Sequence, residues 1–191
     1  MKSHAAVVLA LVGLSVPGAA QVPAGGEFLV NTYTTFRQAS PSVASHPFVG
    51  FVVVWHSEPQ DGDNNGVFGQ RYFAAGVPRG AEFQVNTYTT SSQSSPSVAA
   101  DPAGNFVVTW MDNGQDGSNH GVFAQRFDAT GAARGAEFRV NTYTTSNQYQ
   151  QSAASDAAGN FVVAWASAAQ DGSGFGVFAQ RFDATGAARG A

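Results

Sequence analysis

The chain of 191 residues contains no cysteine. Disulfide frameworks and thiolate zinc sites are excluded with it. Its single lysine is Lys2. Beyond residue 20, eight arginines face 13 acids, a net charge of 8 − 13 = −5 with histidine neutral. A surface this poor in cations cannot neutralise a row of phosphates, so nucleic acid and anionic membranes are excluded as partners. Charged residues of both signs make up only 12% of the chain. Gly, Ser, Thr, Asn and Gln supply much of the polar surface instead, as in turn-rich β proteins. No apolar run after Val16 is long enough to span a bilayer. No 3.6-residue apolar period is sustained there either, so almost no helix is expected.

Catalytic signatures are equally scarce. Neither a Gly-x-Ser-x-Gly nor a His-Glu-x-x-His motif occurs. His46, His56 and His120 fall at three different repeat positions and form no repeated constellation. The sequence therefore predicts a non-enzyme with no catalytic residues. A glycan hydrolase using acids near a propeller axis is the alternative.

The N-terminus reads as a signal peptide over residues 1–20. Lys2 and His4 form a short basic start, Ala5 to Val16 an apolar core, and Pro17-Gly18-Ala19-Ala20 a small-residue cut site. The expected location is secreted, extracellular or periplasmic. Residues 21–191 form the expected β-repeat domain.

Within that domain one stretch occurs three times. Trp55, Trp110 and Trp165 are equally spaced, as are Asp61, Asp116 and Asp171, and Arg71, Arg126 and Arg181. The repeats run 27–81, 82–136 and 137–191. A fixed period of this size marks a repeat architecture. Each unit has four strand-like runs, here called d, a, b and c in chain order. Run d, Glu82 to Thr87, alternates Phe83, Val85 and Thr87 with Glu82, Gln84 and Asn86, which reads as a half-buried strand. Run a is short, Pro96 to Ala99. Run b, Phe106 to Trp110, is apolar on both faces, and run c spans Gly121 to Asp128. Asp101-Pro102-Ala103-Gly104 and Asp128-Ala-Thr-Gly131 carry turn chemistry. An antiparallel meander of four strands follows. The expected fold is all-β, a propeller-like array of three four-stranded antiparallel blades, with a twelve-strand sandwich or barrel as the rival. In this reading the strand buried on both faces is the inner one.

The segments Asn141-Thr-Tyr-Thr-Thr145, Gln170-Asp171-Gly172 and Gly176-Val-Phe-Ala-Gln-Arg-Phe-Asp-Ala-Thr-Gly186 resemble a tandem repeat of secreted bacterial proteins. The resemblance covers Glu27 to Ala191. It implies secretion and a propeller-like β-repeat, and implies no established activity. Some proteins with such repeats are large surface proteins that also carry calcium-binding repeats. The first copy departs from the pattern at His46-Pro47-Phe48-Val49, and the third at Gln150-Gln151.

The chain opens on run d and stops after run c. Two readings follow. Either the Glu27 to Thr32 strand completes a last blade, two chains making a six-bladed homodimer by strand exchange, or the sequence is a fragment of a longer array with an open edge at Gly176 to Asp183. The sequence favours the fragment.

Candidate sites cluster where the copies differ, in the d-to-a and b-to-c loops of one face. That face carries Tyr33, Tyr88, Tyr143, Tyr149, Phe175 and His120. Aromatic planes beside amides and carboxylates are what sugar recognition needs. The competing reading, that Tyr33, Tyr88 and Tyr143 pack the turn, is the stronger for those three. Trp55, Trp110 and Trp165 read as structural core. Asp61-Gly-Asp63-Asn-Asn65-Gly66 opens like a calcium loop, with alternating oxygens and a glycine. It lacks the later bidentate acid, and Ser118 and Ser173 stand where Asp63 does. Asx turns by Asp61, Asp116 and Asp171 are therefore the favoured reading, and no cofactor is expected. Arg71 with Glu82, and Arg126 with Glu137, are expected to form structural cross-strand ion pairs, leaving Arg181 without a following Glu.

These features predict a secreted binding or surface-display module whose ligand is a carbohydrate or another surface protein. Spacer repeats of a larger surface protein, without a ligand of their own, are the alternative.

Overall fold

The computed structural model describes residues 25–190. The expected signal peptide lies outside them. Twelve strands form three four-stranded antiparallel sheets, and the described residues contain no helix. The first blade comprises β1 (Gln38–His46), β2 (Gly50–Ser57), β3 (Gly66–Tyr72) and β4 (Phe83–Gln84). The second comprises β5 (Gln93–Ala100), β6 (Phe106–Asn113), β7 (His120–Phe127) and β8 (Phe138–Arg139). The third comprises β9 (Gln148–Ser155), β10 (Phe161–Ala168), β11 (Phe175–Phe182) and β12 (Ala188–Arg189). Each is a simple meander, and the blades stack face to face in a propeller-like array. They do not close into a ring.

The alternation of run b explains the stacking. Phe106, Val108 and Trp110 point to one side of β6, and Val107 and Thr109 to the other; all five are buried. One side joins Val52, Val54, Val67 and Val85 of the first blade in a core that also holds Phe123 and Phe127. The other side contributes to a second core, where Val107, Val122, Ala124 and Val140 meet Phe161, Val163, Trp165 and Phe182 of the third blade. A strand buried on both faces is thus the middle of a three-layer stack. It is not the inner strand. β1 packs on β5 and β5 on β9, so run a lines the inner side of the array. Run a also starts earlier than its apolar residues indicate, at Gln93 rather than Pro96. A bulge between Ser94 and Ser97 breaks its alternation, with Ser95 at φ 53°.

Run d differs most from expectation. Among the described residues, only Phe83–Gln84 and Phe138–Arg139 of these runs pair as strands, and Glu27 to Thr32 pairs with no strand there. The reason is Asn86. Val85 N donates to Val67 O at 2.8 Å, but Val67 N donates to the Asn86 side chain Oδ1 at 2.7 Å. A carboxamide takes the place of the next backbone carbonyl, and the main chain is released from the ladder. Asn86, expected on the wet face, is 3% exposed. Asn141 does the same to Val122 N at 2.7 Å. β12 is not a run d strand either: it belongs to the c-to-d connection, matching the isolated bridges Tyr72–Pro78 and Phe127–Ala133.

Candidate functional site

The b-to-c loop of one blade meets the d-to-a loop of the next. Gln93 N donates to Asn65 O at 2.7 Å, Asn65 Nδ2 to Ser92 Oγ at 3.0 Å, and Ser91 N to Asp63 Oδ2 at 2.8 Å. Between the second and third blades His120 forms a β-bridge with Asn147. These junctions place the variable loops on one face of the stack.

Beneath that face lies a repeated amide network that sequence reasoning missed. Asn86 Nδ2 donates to Tyr88 O at 2.8 Å and to Gln93 Oε1 at 3.2 Å. Gln93 Nε2 donates in turn to Thr90 O at 2.9 Å. Asn141 and Gln148 repeat the arrangement around Tyr143 and Thr145, and Asn31 and Gln38 around Tyr33 and Thr35. The network fixes the Asn-Thr-Tyr-Thr-Thr loop of every copy. The available signal was that Asn and Gln stay invariant in all three copies while the residues between Thr and Gln change.

Only the second blade adds a charge to this layer. Asp112 stands where Ser57 and Ser167 stand in the other blades, and its side chain is fully buried. It accepts from Gln93 Nε2 at 2.9 Å and from Gln115 N at 2.9 Å. Burial pushes its carboxyl up to about 6, and the negative charges of Glu137 and Asp116 add to the rise. The bonds from Gln115 and Gln93 act in the opposite direction. Burial also lowers the imidazole pKa of His56 and of His120.

The binding candidates separate into two groups. Tyr33, Tyr88 and Tyr143 are half-buried, each on its own loop, and each carbonyl is held by the network. Tyr149 and Phe175, by contrast, come together, with ring centroids 5.3 Å apart and planes at 69°. Phe175 is 59% exposed. His120 belongs to the second blade and bridges Asn147, and among the described residues its buried Nδ1 has no partner.

The candidate metal loop is occupied by its own amides. Asp63 Oδ1 accepts from Asn64 N and Nδ2, and its Oδ2 from Ser91 N. The Ser91 bond is the main cause that holds the Asp63 carboxyl below its ordinary value. Asp61 Oδ1 accepts from Asp63 N at 3.4 Å, as Asp116 does from Ser118 N and Asp171 from Ser173 N. This is Asx-turn geometry in all three copies. Asp61 itself is raised above the usual carboxylate range by burial. Among the described residues, no three His, Cys, Asp or Glu side chains gather in a way that could hold a metal ion.

The expected ion pairs are replaced by links between blades. Glu82 accepts from Thr32 N at 2.6 Å and Thr32 Oγ1 at 2.9 Å, and from Gln60 Nε2. Glu137 repeats this with Thr87 and Gln115. Arg71 Nη1 reaches Ala129 O of the next blade at 3.0 Å, and Arg126 Nη1 reaches Ala184 O at 2.8 Å. Stacking brings the backbone carbonyl of the following turn to the guanidinium, and Glu turns toward the loop face instead. Among the described residues, the Arg181 side chain bonds within its own blade, to Gly190 O. The three tryptophans are core residues, Trp110 wholly enclosed.

No family model matches the chain. No curated protein matches it in sequence either. Among solved structures it is similar to an endo-arabinase from Bacteroides thetaiotaomicron, with a TM-score of 0.50 and 11% sequence identity. The match covers 78% of this chain and 57% of the arabinase, so the chain spans little more than half of that protein's length. At this identity the likeness speaks to the fold, and the fold is of propeller type: all-β, three four-stranded antiparallel blades, not closed into a ring.

Proposed function

We propose that the protein is an exported binding module of propeller-type β-repeats, taking a carbohydrate on its loop face. The observation that carries this reading is the Tyr149–Phe175 pair, an edge-on aromatic corner that is open to solvent. A sugar ring offers an apolar face ringed by hydroxyls, and such a corner supplies the stacking plane. Exposed Gln150, next to Tyr149 in the chain, and exposed Ser173, two residues before Phe175, supply donors and acceptors near it. Neither aromatic recurs in the other copies, where Ala39 and Ser94 replace Tyr149 and Asn65 and His120 replace Phe175. The corner is therefore individualised on an otherwise repeated scaffold, which favours recognition over simple spacing. The N-terminal signal pattern and the resemblance to secreted repeats support export.

A glycan array tests the reading, followed by saturation-transfer NMR on any hit. Binding is expected, and Phe175→Ser and Tyr149→Ser should each abolish it while the far-ultraviolet spectrum is unchanged. A folded protein with no hit above background would favour the spacer reading. The same panel, assayed for released reducing ends, tests the hydrolase alternative.

A further inference from the structure

The a-to-b and c-to-d turns lie at the opposite end of the blades from the variable loops. Between the second and third blades, these turns enclose a cavity of about 240 Å³. Arg126, Arg134, Asp101, Asn105 and Ser155 give it polar groups, and buried rings such as Phe161 give it an apolar wall. The copies show why the space is open. At the junction between the first and second blades, Val49 lies 3.1 Å from where a Gly104 Cβ would stand. The second copy has Gly104 where the first has Val49. In place of a valine, the Asp101 carboxylate comes to the third blade, its Oδ2 3.1 Å from a Cβ position at Gly159. Asp101, Asn105 and Ser155 are themselves replaced at the first junction by His46, Gly50 and Ala100. The polar cavity is therefore a feature of one junction on a repeated scaffold.

Cations gather at this end. Arg134 N donates to Arg126 O at 2.8 Å, as Arg79 N does to Arg71 O at 2.7 Å, so each pair of arginines is held side by side. Like charges in opposed positions repel. In the first blade Arg79 turns onto the Phe73 ring, its guanidinium 5.7 Å from the centroid. The second copy has Asp128 in place of Phe73, and Arg134 is exposed. Arg126 is anchored at the cavity by its bond to Ala184 O at 2.8 Å. Burial first, and then the charge of Arg134, lowers its pKa, while Asp183 acts in the opposite direction. Asp128 feels Arg134 too, but its Oδ1 is held by Thr130 and Ala132. Neither Asp128 nor Asp183 lines the cavity.

We propose that this cavity binds one acidic sugar residue, a hexuronate, at a second site separate from the loop face. Its carboxylate sits between Arg126 and Arg134, where a planar guanidinium offers two parallel donors and the repulsion of the pair is relieved. A bare anion would meet the Asp101 carboxylate with nothing to offer it. The hydroxyls of a uronate do offer donors, and Asn105 and Ser155 complete the set. The apolar face of the ring lies on phenylalanine. The volume is below the roughly 300–1,000 Å³ of drug-sized sites, which suits a single ring.

The test is a titration of the isotope-labelled full chain with methyl glucuronoside to ~20 mM, followed by amide and arginine Nε resonances. Saturable shifts are expected at the Gly159 amide and at Arg126 and Arg134 Nε. Methyl glucoside, with a hydroxymethyl in place of the carboxylate, should bind at least about tenfold more weakly, as should the uronate to Arg134→Gln. Ala158→Phe places a ring in the cavity and should abolish the shifts. Both substitutions are at exposed positions, so the other resonances should stay where they are. No saturable shift, equal binding of the neutral glucoside, or binding retained by Ala158→Phe would each overturn the proposal. Shifts confined to Tyr149 and Phe175 would overturn it as well, and would leave the loop-face reading standing.

Discussion

Replacing Asp112 with Asn should remove a pH dependence from the stability of the fold. The Asp112 carboxyl titrates at about 6 when folded, against an ordinary 3.8 when unfolded. Between those values the folded state binds the proton and the unfolded state does not. The stability it confers is therefore fully present below 3.8 and is lost as pH rises through about 6. A shift of about two units, at roughly 1.4 kcal/mol each, amounts to about 3 kcal/mol. Asn keeps the shape and an acceptor for Gln115 N but carries no charge. Its cost in lost bonding to Gln93 does not vary with pH in this range. Urea unfolding of both proteins, followed by tryptophan fluorescence from about pH 4 to about pH 7, isolates the effect. The wild-type stability minus the variant stability should fall by about 2.4 kcal/mol across the series, which starts just above the unfolded value. Other carboxyls, Asp61 among them, cancel in that difference. Parallel curves, or a difference that rises with pH, would refute the account of Asp112 as a buried acid held against its own ionisation.

Trp110→Ala should cost about 3–5 kcal/mol, read from the urea midpoint, because a wholly enclosed ring leaves a cavity between two blades. Asn141→Ala removes the acceptor of Val122 N and the donor to Tyr143 O. It should cost about 2–4 kcal/mol, and hydrogen exchange at the Val122 amide should accelerate. Gly104→Ala should destabilise by about 1–2 kcal/mol: φ is +87°, and the added carbon would lie 3.1 Å from Val49 and 3.3 Å from Ala129. Calorimetric titration with calcium at millimolar concentration should show no heat, because the Asp63 oxygens already accept backbone and side-chain amides. A saturable exotherm abolished by Asp63→Asn would refute that.

The blades themselves were legible from runs b and c. Their apolar residues face partners on both sides, and the strands are bounded by Asp and Gly turns with few other readings. Runs d and a were less so, for physical reasons. In run d, an Asn side chain acts as a piece of backbone, and alternation alone cannot distinguish that from a wet strand residue. In run a, Gln93 is wholly buried yet polar, and the Ser95 bulge shifts the phase after it. The Arg71–Glu82 pairing failed differently. Spacing along the chain shows which residues are near in sequence, but Thr87 reaches Glu137 and Arg71 reaches Ala129 only because blades stack. For the candidate site, the differences between copies single out the d-to-a and b-to-c loops, which the structure gathers on one face. Tyr149 and Phe175 meet because they pair with Ala166 and Ala168 of β10, a register that composition does not encode.

The links from each blade to the next have a consequence for how such a chain grows. The second blade is held on both faces, the first and third on one each. In a row of units coupled only to neighbours, stability is a sum of unit terms and junction terms. Opening should therefore begin at the outer blades and reach β6 last. A gene that duplicates one repeat in frame adds one unit and one whole junction together, so each added copy arrives with its stabilising contact already encoded. Lengthening is then favoured at every step, and the outermost blades remain the weakest members at any length.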